Sequence, residues 1–226
     1  MKTIVWAIAL ISLMTACKTT DREQEILNQI TNLSSEEILE QGDALMAQQN
    51  YEDARVYYRF IYENFPNSPQ STKALIGLAD SLYQEGGLDN IVQAFFRYQD
   101  FYNRFPQAAE AEEALYMMGV TTLYQKLKPT LDTQKTREAM TYFSRYEEMF
   151  PDGKYLKEAR ASFNECKEVL ARHEYEVAYF YFRRKAFESS LERLNFLYKS
   201  YPTTEAAKDG KILEETVQKA LAEREK

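Results

Sequence analysis

Four prolines, each closing the same spaced set of residues, constrain this chain more than any other feature. Ala54, Tyr58, Ile61 and Pro66 recur as Ala94, Tyr98, Phe101 and Pro106, and again as Ala139, Phe143, Tyr146 and Pro151. A fourth set, Ser190, Leu194, Leu197 and Pro202, keeps the offsets, with serine for alanine and leucine for the aromatic. Steps of four and three put the first three members of each set on one helix face. Proline has no backbone N–H and biases the residue before it away from helical backbone, so each set reads as a helix with a stop. Four such helices make a repeat protein.

Composition agrees. Only 7 of 226 residues are glycine and 6 are proline, and four of those prolines are the stops. So few breakers in a chain with 45% hydrophobic and 28% charged residues argue for a folded, all-helical protein. The 17 tyrosines and 13 phenylalanines supply large buried areas to helix pairs that lack a deep common core. The net charge of −7, with no basic stripe, argues against nucleic acid as a partner. Two cysteines, Cys17 and Cys166, stand in unrelated contexts and do not suggest a disulfide framework.

Gly42 lies 12 residues before Ala54, and Pro66 lies 12 after it. This spacing resembles the tetratricopeptide repeat, a helix–turn–helix unit of about 34 residues. A small residue in each helix lets the two cross closely, and the aromatic one turn later fills the gap toward the next unit. The expected fold is therefore all-α, a tetratricopeptide-repeat solenoid of about four to five helix pairs. The repeats are expected over 35–68, 70–107, 108–152 and 153–202, within a domain spanning 34–226. Ser34 and Glu37 form an expected capping box. Gly86-Gly87 marks a turn, and Ala79 sits about three residues early for its repeat, an extra turn. An insertion with Pro129 joins the helices of the third repeat. Residues 154–184 read as one long helix or two abutting ones, with one favoured, and a capping helix is expected over 203–222.

The amino terminus reads as an address. Lys2 precedes an apolar run from Ile4 to Met14, too short to span a bilayer but suited to a signal peptide over 1–16. Leu13-Met14-Thr15-Ala16-Cys17 resembles a lipobox. That resemblance implies cleavage before Cys17, a covalent lipid on Cys17, anchoring in the lipid bilayer and, with Lys18 following, sorting to the outer membrane. The alternative is an ordinary secretory signal. Residues 17–33 read as the lipidated terminus and a polar tether.

Lipobox, tether and aromatic-rich repeats together resemble the BamD family, helical lipoproteins of the machinery that assembles outer-membrane β-barrels. The most specific passages are Tyr51–Pro66, Ala114–Thr121, Arg172–Tyr181 and Asn195–Pro202. The resemblance implies a scaffold in the periplasm. Its amino-terminal repeats would receive unfolded outer-membrane proteins, and its carboxy-terminal repeats would dock on the barrel-forming subunit. By its offset of nine residues before Pro202, Arg193 is the implied docking arginine. A tetratricopeptide lipoprotein of another envelope complex, tied to the cell wall or division, is the alternative reading.

Other residues are weighed on their own chemistry. Arg183 and Arg184 are either a helix end favoured by the dipole or part of a docking surface. Tyr57 and Tyr62 either pack between helices or face a client groove. No enzyme motif is present. A single histidine, His173, allows neither a two-histidine metal site nor a supported triad, so no metal, catalytic residue or cofactor beyond the lipid is expected. Cys166 reads as a packed thiol.

Overall fold

In a computed structural model, residues 21–125 and 132–224 are described; among them every regular element is a helix. The chain divides into two compact units, Met1–Ala111 and Glu112–Lys226. The first holds α1 (21–30), α2 (Ser35–Ala47), α3 (Tyr51–Asn64), α4 (Pro69–Glu85) and α5 (Leu88–Arg104). The second holds almost all of α6 (Ala111–Tyr124), then α7 (Gln134–Met149), α8 (Leu156–Arg183), α9 (Phe187–Ser200) and α10 (Glu205–Arg224). Consecutive helices pack on each other from α2 to α5 and from α7 to α10, and α2 also meets α4. The fold is all-α and tetratricopeptide-like.

The repeated residues do in space what their spacing requires. All twelve residues of the four small–large–apolar sets are at most 2% exposed. Each helix then stops in the same way. Phe65, Phe105, Phe150 and Tyr201 precede the prolines with φ between −125° and −137° and ψ between 51° and 66°, outside the helical region. Each still donates its N–H to the carbonyl four residues back, at 2.8 Å. Its own carbonyl then accepts from the residue three further on, closing an identical turn four times.

In unit 1 the crossing of α2, α3 and α4 is built around one ring. A Cβ on Gly42 would lie 2.9 Å from the Tyr58 ring, and one on Gly77 would lie 2.7 Å from it. Real Cβ atoms do not approach so closely, so the two glycines let neighbouring helices close on both sides of the tyrosine. Its hydroxyl donates to Asp43 Oδ1 at 2.8 Å. Tyr98 repeats the bond, donating to Asp80 at 2.5 Å. Asp80 follows Ala79 as Asp43 follows Gly42, so Ala79 is the equivalent small residue. The extra turn falls on α5, which starts ten residues before Tyr98; α3 starts seven before Tyr58.

In unit 2, α8 is one helix of 28 residues. α8, α9 and α10 share a core that includes Leu170, Ala178, Phe187, Leu194, Leu213 and Val217. Glu168 on α8 caps α10, accepting from the N–H groups of Glu205 and Ala206 at 2.9 Å each. The carboxylate also opposes the positive end of the α10 dipole.

One expectation is overturned before the first repeat. Residues 21–30 are helical, where a polar tether was expected. Ile26 is 7% exposed and Ile30 0%. Burying each such side chain is worth about 1.5–3 kcal/mol, enough to order a segment whose other residues are polar. The capping box of α2 is formed, Glu37 N–H to Ser34 Oγ and Ser34 N–H to Glu37 Oε2. The carboxylate of Glu37 is held below its usual range by those Ser34 bonds.

Candidate partner-docking site

Arg193 lies on α9, one turn after Ser190, which bonds α8, and directly before the buried Leu194. Its Nη1 donates to Glu174 Oε2 at 3.1 Å. The Glu174 side chain is 5% exposed and the Arg193 side chain 46%. A carboxylate so deeply buried needs a cationic partner, and Arg193 supplies it. A guanidinium has five N–H donors, so one face of Arg193 satisfies the core while its exposed face keeps donors in a planar fork for an external carboxylate.

Arg183 is the last residue of α8 and Arg184 is its C-cap. Both are exposed. The Arg184 guanidinium sits 5.2 Å from the centre of the Phe180 ring. Phe180 is 53% exposed and Tyr179 39%. Ten residues of helix, about 15 Å, separate Glu174 from Arg184. Arg193 of α9, which meets α8 at Glu174, and the Arg183–Arg184 pair at the end of α8 therefore stand apart. Phe196, 45% exposed and one turn beyond Arg193 on α9, adds an apolar element.

The aromatic candidates of unit 1 separate. Tyr57 is 7% exposed and does not project from the surface, which corrects its assignment to a client groove. It lies beside Asp53 and Arg22, where α1 is docked instead of a tether. Burial pushes its hydroxyl above the usual range, and the Asp53 charge adds to this. Tyr62 stays half-buried. The guanidinium of Arg104 on α5 donates to its hydroxyl and lies 5.4 Å from its ring centre. The same guanidinium is 5.4 Å from the Phe105 ring. The result is a surface cluster of Tyr62, Arg104 and Phe105, of which sequence reasoning found only the tyrosine. Arg104 and Phe105 stand at the end of the next repeat, and nothing in their spacing pairs them with Tyr62.

Cys17 lies outside the described residues, as does most of the insertion with Pro129. Cys166 is fully buried. His173 is half-buried on α8. Among the described residues, no three His, Cys, Asp or Glu side chains are grouped to hold a metal. No helix among them is long and apolar enough to cross a membrane.

The family described as YfiO, outer membrane lipoprotein, matches residues 31–226. The chain belongs to this family. The YfiO match thus takes in every helix from α2 to α10 from end to end and begins just after α1. Among curated proteins, the outer membrane protein assembly factor BamD of Haemophilus influenzae is 26% identical over 216 residues, 91% of this chain and 79% of that protein. BamD of Pasteurella multocida is 26% identical over 204 residues, 85% of this chain and 74% of that protein. BamD of Xylella fastidiosa is 23% identical over 177 residues, 74% of this chain and 60% of that protein.

Proposed function

We propose that this YfiO-family chain is a non-enzymatic scaffold in outer-membrane protein assembly. A signal peptide is removed, Cys17 carries the lipid, and the helical domain faces the periplasm. The repeats bind unfolded outer-membrane protein segments and the barrel-forming subunit. The family match over 31–226, to outer membrane lipoproteins, carries this reading. The relatives named as outer membrane protein assembly factors support the assembly role.

The geometry supplies a mechanism for the docking part. Arg193 is held by the buried Glu174 carboxylate and offers its free fork outward. A carboxylate on the barrel-forming subunit would complete a three-member ion network. Arg183, Arg184 and the exposed Phe180 form a second, separate contact. For clients, the Tyr62–Arg104–Phe105 cluster combines a ring face, a cation and an aromatic edge, suited to the aromatic side chains and backbone carbonyls of an extended chain.

Affinity purification from detergent-solubilised membranes tests this directly. Co-purification of a β-barrel assembly subunit supports the proposal, and loss of that subunit with Arg193→Glu assigns the docking site. Recovery of cell-wall or division proteins in its place would replace it with the alternative reading.

A further inference from the structure

The segment before the first repeat is a docked helix, and three residues separate it from Cys17. Arg22 Nε donates to both oxygens of Asp53 on α3, at 2.9 and 3.0 Å. Asp53 is 7% exposed and also accepts from Asn50 Nδ2 at 2.7 Å. A second ion pair joins Glu23 to Arg59 on α3, at 2.8 Å. Beyond these pairs along α1, Ile26 and Ile30 are buried. Polar ties at the start of α1 and apolar burial along it fasten the helix to unit 1.

We propose that α1 is a mount that holds unit 1 against the headgroups of the bilayer carrying the anchor. This rests on the lipidation of Cys17 in the reading above. Whatever their conformation, Lys18, Thr19 and Thr20 let Asp21 stand at most about 14 Å from Cys17. With α1 fastened, that limit applies to the start of unit 1 itself. With α1 released, the first fixed residue would be Ser34, and the reach would grow to about 60 Å. The membrane-facing surface of unit 1 is then the one that carries Arg22, Glu52 and Asp53. Client segments that meet unit 1 would do so next to the bilayer.

The lipidated full-length chain, in vesicles of phosphatidylethanolamine and phosphatidylglycerol with a headgroup-attached quencher, provides the test. A fluorophore is placed at the exposed Glu52 through Glu52→Cys, since Cys17 is acylated and Cys166 is buried. The expected result is strong quenching of this label. Quenching should fall severalfold when about twelve Gly/Ser residues are inserted after Thr20, a change outside the folded part that lengthens the leash. Arg22→Ala, read alongside amide exchange of residues 21–30, should give a smaller fall in the same direction. Flotation with the vesicles separates the two claims. A chain that floats but shows no quenching, or quenching indifferent to the insertion, overturns the mount alone. A chain that does not float overturns the lipid reading, and the mount with it.

Discussion

Tyr58 in unit 1 and Phe143 in unit 2 occupy the same place in their repeats, and they solve its polar problem differently. Each ring presses on a glycine of the facing helix: Gly42 and Gly77 for Tyr58, Gly119 for Phe143. Tyr58 brings a hydroxyl into the crossing and must satisfy it, which Asp43 does. Phe143 brings none. The hydroxyl of unit 2 sits three residues later, on Tyr146, which donates to Glu112 and accepts from the N–H of Tyr155 at 2.9 Å. Tyr155 in turn donates to Glu113 at 2.9 Å and stacks on Tyr116, 4.7 Å between ring centres. In the last pair the ring is gone, and the small residue is polar. Ser190 Oγ donates to the carbonyl of Ala178, its counterpart 12 residues earlier, at 2.8 Å. Volume and close approach hold the repeat position constant, while the polar bonds move to wherever a buried oxygen or nitrogen needs one.

The strongest way to break the comparison is to empty the two crossings. Tyr58→Ala and Phe143→Ala should each cost about 3–5 kcal/mol, by denaturant unfolding. Tyr58→Phe should cost far less, about 1 kcal/mol, because Asp43 lies at the surface and can turn to water. A cost for Tyr58→Phe near that of the alanine variant would show that the hydroxyl, not the ring, holds unit 1 together.

Glycine substitutions sharpen the same point. Gly77→Ala places a methyl 2.7 Å from a ring that Gly42 blocks on its other side, and Gly119→Ala places one 2.6 Å from Phe143. Both should destabilise by about 1–3 kcal/mol through overpacking. Thermal melts of the two variants check this, and unchanged melting would mean that the helices can separate freely.

In unit 2, Arg193→Ala should lower stability as well as docking, by about 1–3 kcal/mol, because it leaves Glu174 buried without its partner. Arg193→Ala combined with Glu174→Leu should recover stability but not docking. Recovery of both would show that Arg193 acts only inside the fold.

A smaller effect of opposite sign belongs to the turns. Gln49 has φ of 61° and Lys185 φ of 60°, and they hold the same place before α3 and α9. Side-chain-bearing residues pay a steric penalty there that glycine does not. Gln49→Gly and Lys185→Gly should each stabilise by about 0.5–1 kcal/mol, in calorimetry.

Acid should affect the units unequally, and only locally. The Arg22 bonds hold the Asp53 carboxyl below the usual range, against the opposing effect of its burial. A depressed folded-state value means that α1 docking is fully supported above the ordinary carboxylate range. It is lost as pH falls through the lower folded value. Amide exchange over residues 21–30 should therefore accelerate at acid pH before that of α8. Uniform acceleration of both would contradict a local clamp.

Periodicity alone determined the helices of the repeats, their proline ends and the small residues at which they cross. These depend on contacts within one or two turns, and each leaves a mark at a constant spacing. Even the misfit of Ala79 was visible, though not which helix carried the added turn. What only the tertiary structure decided are contacts between residues with no common period. α1 was disguised as a tether because its apolar face amounts to little more than Ile26 and Ile30, and its strongest tie, Arg22 to Asp53, spans 31 positions. Tyr57 was hidden for the same reason, and the pairings of Arg193 with Glu174 and of Tyr62 with Arg104 cross from helix to helix. Whether a tyrosine or an arginine serves the core or the surface depends on what folds over it, and a one-dimensional pattern does not record that.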